Sequence, residues 1–432
     1  MRILMFGWEF PPYMSGGLGT ACSGLTGALT GFGHPVLFVI PHCDPAEEAS
    51  HVSLISASGF PLLETDLACP ALKNPDVRTV DSLLMPYTGD HRYRERLKRR
   101  NDPEGTGTSS GTLSFDLSGN YGPDLMQEVR RFGMVAGAVA RRHSFDIIHA
   151  HDWMTVHAGL YAREISGKPL ILHIHSLEFD RSGNRIDPAI YDMERHGMRA
   201  ADHVIAVSQY TKEMIVEHYG IDRRKISVVY NAATRHPDSI TRFDQSSGRG
   251  EIKTVLFLGR ITFQKGPEYF IEAAARVLKV FPEVRFIMAG SGDLMNLMIE
   301  RVAELGIGQN FHFTGFLRGS DVERIFARSD LYVMPSVSEP FGIAPLEALL
   351  CDVPVIISKQ SGVSEILHHA LKVNFWDIDE MADNMIAVLK YPALVKEMML
   401  RASEEIKRIR WQNSAARVID IYRRVLAAAG PT

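Results

Sequence analysis

Short apolar runs recur along the chain, and most are followed by a longer stretch in which apolar and polar residues alternate with helical spacing. The first run, Arg2 to Gly7, leads through a glycine-containing loop into a helical stretch that ends near Gly33. A second run follows at Val36 to Ile40. Strand, helix and strand in this order are typical of an α/β protein with a doubly wound parallel sheet.

The same alternation continues to about residue 231, which predicts one Rossmann-like domain over residues 1–231. Its further strands are expected at Phe145 to Ala150, Leu170 to His175, Val204 to Ser208 and Ile226 to Tyr230. Residues 88–122 break the rhythm, because a strongly basic run is followed by a segment rich in glycine and serine. We interpret them as a mobile surface insertion. Its basic run is typical of a solvated face, and a role in holding an acceptor is left open.

A polar segment at residues 232–250 predicts a linker, and the pattern then restarts. Residues 251–410 are therefore expected to form a second doubly wound domain. Its strands are predicted at Thr254 to Leu258, Arg285 to Ala289, Phe311 to Thr314, Leu331 to Met334 and Val355 to Ile357. A helical tail at residues 411–432 follows the last predicted strand and has no obvious place in that sheet.

Composition narrows the functional classes. The 432 residues are 45% hydrophobic and 23% charged, which is typical of a soluble globular protein of two or more domains. A formal net charge of -4 provides no general attraction for nucleic acid or an anionic membrane. No apolar run is long enough to span a bilayer, and the N-terminus does not read as a signal peptide. We therefore expect a cytoplasmic protein whose four cysteines are reduced.

The stretch from Ser336 to Leu350 carries two carboxylates, Glu339 and Glu347, and it joins an apolar strand to an apolar helix. Pro345 fits the first turn of that helix, where its missing N–H costs nothing. The N–H groups of Gly342 and Ile343 would then lie where the helix dipole attracts anions. The carboxylates are suited to accepting hydrogen bonds from sugar hydroxyls, although each alone could simply be solvated or complement the dipole.

Two fixed cations, Arg260 and Lys265, follow the first strand of the second domain in the segment GRITFQKG. Arginine and lysine together suit a pyrophosphate, because one offers paired donors and the other a compact charge. A second glycine cluster, at Ala289 to Asp293, follows the next strand and is expected at the same edge of the sheet. Taken singly, the two cations could equally be ordinary surface charges.

In the first domain, polar residues close two neighbouring strands: His149, His151 and Asp152 on one, and His173 with His175 on the next. Histidines two apart on a strand share a face, so a metal cage can be imagined. We favour hydrogen-bonded core histidines instead and predict no metal. Asp377 and Asp379 are interpreted as helix capping.

In their order and spacing, four segments resemble the retaining glycosyltransferases of the GT-B fold, and within them bacterial glycogen and starch synthases. The resemblance covers both domains. It rests on SGGLGT at Ser15 to Thr20, HAHDW at His149 to Trp153, RITFQKG at Arg260 to Gly266, and the stretch from Glu339 to Glu347. It implies two Rossmann-like domains that face each other across a cleft, and a C-terminal helix that crosses back to the first domain.

The resemblance also implies roles for the second-domain residues. Arg260 and Lys265 would neutralise the pyrophosphate of a nucleotide diphosphate sugar, Glu347 would bind its ribose, and Glu339 would bind the donor glucose. No metal or other cofactor is implied. Transfer would retain configuration on one face of the sugar, with the leaving phosphate accepting the proton of the acceptor.

On the same basis, the amides of Gly342 and Ile343, together with Gly17 of the first domain, would complete the anion site. Asp152 and His175 would line the reacting centre. The implied activity is transfer of glucose from ADP-glucose or UDP-glucose to an α-glucan acceptor.

Departures from the glycogen synthase pattern leave the donor base and the acceptor open. Met14 stands where ADP-glucose enzymes have lysine, Phe341 where cysteine is frequent, and Glu347 where tyrosine is common. The alternatives are a transferase of the same fold acting on a lipid-linked or small sugar, a sugar-nucleotide epimerase, and a non-catalytic sugar-nucleotide sensor. A dinucleotide-dependent oxidoreductase is disfavoured, because the GGLG turn lacks the full dinucleotide spacing.

Overall fold

The computed structural model describes residues 1–12, 16–43, 51–63, 66, 113–183, 185–234 and 252–430. Their first half forms a seven-stranded, entirely parallel sheet in the order β3-β2-β1-β4-β5-β6-β7. The strands are β1 (Ile3–Phe6), β2 (Val36–Ile40), β3 (Ser53–Ser56), β4 (Ile147–His151), β5 (Leu170–Ile174), β6 (His203–Ala206) and β7 (Ile226–Val228).

Helices cover both faces of this first sheet, so its central strands are wholly buried and almost entirely apolar until they reach their carboxyl ends. The helices are α1 (Gly17–Gly31), α2 (Leu125–Arg142), α3 (Val156–Ser166), α4 (Glu178–Ser182), α5 (Pro188–Ala200) and α6 (Gln209–Tyr219). The sheet order changes direction at β1 and β4, and it is beside such a switch point that doubly wound folds bind ligands.

The second half forms a six-stranded parallel sheet in the order β10-β9-β8-β11-β12-β13. Its strands are β8 (Thr254–Leu258), β9 (Arg285–Ala289), β10 (Phe311–Gly315), β11 (Leu331–Met334), β12 (Val355–Ser358) and β13 (Leu371–Val373). Its helices are α7 (Pro267–Val277), α8 (Met295–Glu304), α9 (Ser320–Ala327), α10 (Ala344–Leu350), α11 (Ile378–Lys390) and α12 (Pro392–Ile406).

The last helix, α13 (Trp411–Ala429), leaves the second domain and packs against α1 of the first. Gly24 makes this close approach possible, because a Cβ there would lie 2.2 Å from the Trp411 ring. Ser414 also donates a hydrogen bond of 2.6 Å to the Tyr230 carbonyl. The apolar face of α13 completes one of the two first-domain cores. The helix that had no place in the second sheet is therefore a first-domain helix in packing.

The predicted α/β class and the two doubly wound domains are confirmed. Two short strands, β3 and β13, were not predicted, because both lie at sheet edges and lack a run of buried apolar residues. The capping interpretation of Asp377 is correct, since its carboxylate accepts a hydrogen bond of 2.9 Å from the Glu380 N–H. Within the described ranges, no helix is both long and apolar enough to cross a membrane.

The last ten residues of the predicted surface insertion at residues 88–122 are anchored to the first domain. Leu117 is fully buried, Tyr121 is nearly so, and Leu113 pairs with Leu62 in an antiparallel bridge. Apolar side chains spaced through this polar segment bury against the first-domain core, which outweighs its loop-like composition. Residues 88–112 and most of the predicted linker, from residue 235 to 250, lie outside the described residues.

Candidate functional site

Two glycine-containing loops lie against each other where β8 and β9 end in the second domain. A Cβ at Gly290 would lie 1.8 Å from the Gly259 carbonyl oxygen, so only glycine allows this approach. The first loop then forms a 3-10 turn at Phe263–Lys265, which ends at Gly266 with a φ of 61°. Arg260 lies in the loop before this turn and Lys265 ends the turn, so both lie at the carboxyl edge of the sheet, as predicted from their position after the strand.

The structure brings Lys265 into direct contact with Glu339. The Lys265 Nζ lies 2.5 Å from Glu339 Oε2, and both side chains are largely buried, with 21% and 8% exposed. Ser336 donates a further hydrogen bond of 3.2 Å to the same oxygen. Arg260 lies in the loop before the turn and donates to Gln264 Oε1 over 3.1 Å. A buried pair of this kind is a preformed charged group at the sheet edge.

Glu339 is fixed by its backbone as well as by Lys265. Its N–H donates to the Gln360 carbonyl over 3.0 Å, and its own carbonyl accepts from the Gly362 N–H over 2.9 Å. Gly342, with a φ of 96°, then turns the chain into α10. A Cβ at Gly342 would lie 3.2 Å from Glu339 Cγ, so a side chain here would press on the carboxylate. The glycine therefore serves both the turn and the packing of Glu339.

Glu347 lies in the first turn of α10, as predicted, and is half-buried. Burial, together with the nearby Glu323 carboxylate, raises its pKa to about 7. Among the described residues, nothing forms a hydrogen bond or ion pair with its carboxylate, and the N–H groups of Gly342 and Ile343 donate to no described group. The side chain of Ile343 packs against cores of both domains. Unpartnered acceptors and donors therefore lie side by side at this helix start.

In the first domain, Asp152 follows β4 with a φ of 58°, a backbone conformation that few residues other than glycine adopt. Its Oδ1 accepts hydrogen bonds from the N–H of His175, at 2.6 Å, and of Ser176, at 3.3 Å. Burial nevertheless raises the pKa of Asp152 to about 7. The strained aspartate thus fixes the backbone of His175 at the end of the neighbouring strand.

Four histidines form a stacked cluster beneath this edge. His149 Nε2 lies 3.2 Å from His173 Nδ1, and His151 Nδ1 lies 2.9 Å from His175 Nε2. Burial lowers the pKa of all four, to about 3 for His149 and His175. Tyr422 of α13 reaches His149 Nδ1 at 2.5 Å, which ties the crossing helix to the cluster.

Ligand atoms of His149, His151 and His173 lie within 4.8 Å of one another, so these neutral rings are the described residues that could hold a transition metal. They include no carboxylate, and His149 and His173 already share a hydrogen bond between their rings. The interpretation as core histidines accounts for the cluster, and the absence of a metal requirement stays a prediction.

Gly17 begins α1 at the carboxyl edge of the first sheet, and space in front of it is open, because a Cβ there would meet nothing within 4 Å. Glu9, which follows β1, organises this turn: it accepts from the Gly16 N–H at 3.2 Å and from the Tyr121 hydroxyl at 2.6 Å. Sequence reasoning missed Glu9, although its position directly after a predicted strand was a usable signal.

The two domains meet beside Glu339. Ser338 donates to Asp180 Oδ1 of α4 over 2.5 Å and also lies 2.9 Å from the Tyr210 hydroxyl. Asp180 is buried, and burial raises its pKa. The first domain thus holds the residue next to Glu339 in place. Neither Asp180 nor Ser338 was predicted, because only the tertiary fold brings them together.

A second contact between the domains uses Glu365 as a helix cap. Its carboxylate accepts hydrogen bonds from the N–H groups of Gln209, at 2.9 Å, and Tyr210, at 2.7 Å, at the start of α6. It also accepts from the Tyr230 hydroxyl at 2.8 Å. A carboxylate of the second domain thus caps a helix of the first. We call this cap, formed by Glu365, Gln209, Tyr210 and Tyr230, the interdomain cap.

Comparisons with known proteins agree with this architecture. Residues 239–408 match the family described as glycosyl transferases group 1, and residues 116–234 match glycosyltransferase family 4. An uncharacterised glycosyltransferase of Methanocaldococcus jannaschii is 27% identical over the whole of both chains. The glycogen synthase of Mycobacterium tuberculosis is 25% identical over 98% of this chain and 94% of its own.

Among solved structures, the sucrose-phosphate synthase of Thermosynechococcus elongatus is similar over 99% of both chains, with a TM-score of 0.72 and 19% sequence identity. At that identity the likeness concerns the fold alone. The group 1 match spans the second sheet, and the family 4 match covers β4 to β7 of the first. The chain is a GT-B glycosyltransferase in which a family 4 domain is followed by a group 1 domain.

Proposed function

We propose that the protein transfers glucose from ADP-glucose or UDP-glucose to an α-glucan acceptor, with retention of configuration. The observation that carries the proposal is the buried Lys265–Glu339 pair, which lies beside the open start of α10 and is connected through Ser338 to the first domain. The similarity to a mycobacterial glycogen synthase over nearly the full length supports the choice of acceptor.

The donor would lie along the carboxyl edge of the second sheet. Departure of a nucleoside diphosphate develops negative charge, and Lys265 with Arg260 would stabilise it from a preformed, closely packed loop. Glu339 would then accept hydrogen bonds from the sugar hydroxyls, and Glu347 from the ribose. The free N–H groups of Gly342 and Ile343 would donate to phosphate oxygens.

The acceptor would bind on the side of the first domain, at the carboxyl edge of its sheet. Gly17, Asp152 and His175 lie at this edge. His175 is neutral, because burial lowers its pKa to about 3. A neutral ring avoids placing a positive charge beside a sugar carbon that itself becomes positive as the leaving group departs. No side-chain nucleophile and no metal enter this proposal.

The proposal is tested by incubating the full chain with a panel of ADP-sugars and UDP-sugars, with and without glycogen, and measuring both nucleotide release and polymer growth. We expect one glucose donor to give nucleotide release that depends on glycogen, together with lengthened chains. Enzymatic digestion of the product and NMR of the new linkage would establish whether configuration is retained.

Each other result would point to a different function. Nucleotide release that requires a small or lipid-linked sugar instead of glycogen would show that the protein is a transferase with a different acceptor. Formation of an epimer without any acceptor would indicate an epimerase. Tight donor binding with no release in any combination would contradict catalysis and indicate a sugar-nucleotide sensor.

A further inference from the structure

His151, which lies one strand away from His175 and is itself fully buried, forms the sole described hydrogen bond to the His175 ring. We propose that His151 is a positioning residue that holds His175 in the tautomer with its proton on Nδ1, so that His175 offers an N–H donor to the bound sugar. The inference rests on the proposed function for the identity of that sugar, whereas the tautomer itself does not depend on it.

The first step concerns His151. Its Nδ1 lies 2.9 Å from His175 Nε2, while its own Nε2 is buried and has no hydrogen-bond partner among the described residues. A neutral imidazole has one N–H and one bare nitrogen. A buried N–H without an acceptor is rarer in folded proteins than an underused acceptor. The proton of His151 therefore belongs on Nδ1, where His175 can accept it.

The second step follows for His175. If its Nε2 accepts from His151, that nitrogen carries no proton, and the remaining proton of the neutral ring lies on Nδ1. Burial lowers the pKa of both rings and keeps them neutral, so each ring carries one proton, and the hydrogen bond between them uses the proton of His151. His175 Nδ1 has no hydrogen bond to a described residue, and its side chain is half-buried whereas the other three rings are fully buried. This nitrogen remains available to a ligand.

The third step is that the surroundings constrain the plane of the His175 ring and its backbone, and a half-turn of the ring would lose the hydrogen bond from His151. Its ring stacks on His173 with 4.3 Å between centroids, and its backbone N–H is held by Asp152. Arg181 further fixes the following residue by donating to the Ser176 carbonyl over 3.0 Å. With backbone and ring both constrained, the single hydrogen bond from His151 decides which nitrogen faces the ligand as a donor.

The direct test is 15N NMR of the full chain labelled at histidine, in which two-bond couplings from the ring protons show which nitrogen is protonated. Signals of His151 and His175 are assigned by their loss in His151→Asn and His175→Ala. We expect the proton on Nδ1 in both rings. A proton on Nε2 of His175 would overturn the proposal, whatever substrate the enzyme uses.

The kinetic test compares variants at position 151. In His151→Asn, the side-chain amide nitrogen takes the place of Nδ1, at the same number of bonds from Cβ, and it can still donate to His175. We expect His151→Leu to lower kcat/KM for the donor at least about fivefold, and His151→Asn to stay within about twofold of the wild type. His173→Leu is the matched control, since that ring is equally buried and stacks on His175 but bonds to His149.

The variants also separate positioning from packing. If asparagine restores activity while His173→Leu lowers it less than His151→Leu, the hydrogen bond to His175 is responsible. If asparagine is as poor as leucine and both leucine variants lose equally, the histidines serve packing only and the proposal is wrong. The NMR measurement needs no turnover. It therefore tests the tautomer of His175 even if the proposed glucan activity is not found.

Discussion

The two halves of the candidate site, one in each domain, differ in their electrostatic character. The second-domain half is charged: Lys265 and Glu339 form an ion pair at a backbone turn that admits only glycine at its tightest points. The first-domain half is neutral: four stacked histidines have their pKa values lowered by burial, and Asp152 has its pKa raised to about 7. When a nucleoside diphosphate departs from a sugar, fixed positive charge favours the reaction beside the leaving diphosphate but not beside the sugar carbon, which itself becomes positive. The asymmetry between domains matches that need.

The largest effect is expected on the charged half. Lys265→Ala removes the cation that would stabilise the leaving diphosphate, so we expect kcat to fall about 100-fold. Steady-state rates of nucleotide release would measure it. Lys253→Ala is the matched control, because Lys253 lies just before the opposite end of the same strand, where its half-exposed side chain pairs with Asp330. Near-normal turnover in Lys265→Ala would exclude Lys265 from the reacting centre.

The next effect concerns Glu347, whose pKa of about 7 makes it the titrating group of the charged half. A carboxylate accepts from ribose hydroxyls better when ionised, so donor affinity should rise as the pH goes from 6 to 8. Glu347→Gln should weaken donor binding about tenfold at pH 8 and flatten this dependence. Calorimetric titration with each donor would measure both. Glu323→Gln should move the midpoint to lower pH, because it removes the neighbouring charge.

Glu347 also predicts a change in stability with a definite sign. Its folded pKa lies above the ordinary value of 4.5, so its favourable contribution is present at acidic pH and is lost as the pH rises through 7. Glu347→Gln should therefore melt at a higher temperature than the wild type at pH 8, with little difference at pH 5. Asp152 titrates in the same range, so the two proteins must be compared at each pH. Equal melting temperatures of the variant and the wild type at pH 8 would show that the ionised Glu347 side chain does not destabilise the folded protein.

A smaller effect is expected where the halves join. Ser338→Ala removes the hydrogen bonds to Asp180 and Tyr210 without touching the charged pair, so kcat/KM should fall about threefold to tenfold. Ser364→Ala is the control, since its hydroxyl bonds only to carbonyls within its own domain. If both variants behave alike, the contact beside Glu339 does not position the donor site.

Disrupting the interdomain cap is expected to have the smallest effect on turnover and the clearest effect on the overall dimensions of the protein. Glu365→Gln removes a charge that accepts two helix N–H groups and a tyrosine hydroxyl, which weakens the closed arrangement by about 1 kcal/mol. Small-angle X-ray scattering should show a larger radius of gyration. Glu405→Gln is the matched control, because Glu405 also accepts from two backbone N–H groups, but within the second domain. An unchanged radius in Glu365→Gln would show that the cap does not hold the domains together.

Much of the fold was readable from the sequence, since buried parallel strands appear as apolar runs and their helices as periodic stretches. The edge strands β3 and β13 were not predicted, because most of their residues are partly exposed and form no apolar run. The anchoring of residues 113–122 was not predicted for a related reason: single buried residues such as Leu117 and Tyr121 form no periodic pattern.

For the candidate site, the sequence placed Arg260, Lys265, Asp152 and His175 at strand ends, and with them the edge at which we propose that the substrates bind. It could not show that Lys265 pairs with Glu339, because 74 residues separate them and their contact depends on where β8 and β11 lie in the sheet. The contacts of Asp180, Ser338 and Glu365 across the domains could not be predicted, because each depends on a partner that is distant in the chain.

The sequence by itself therefore determined the two-domain plan, the functional edge of each sheet and the chemical types that occupy it, because those follow from local periodicity and from strand ends. Only the tertiary structure decided the partners: the helix α13 that closes the first core, the lysine that meets the glutamate, and the histidine that directs its neighbour. These depend on long-range packing, in which a side chain's charge state and hydrogen bonds are set by residues that are distant in the chain.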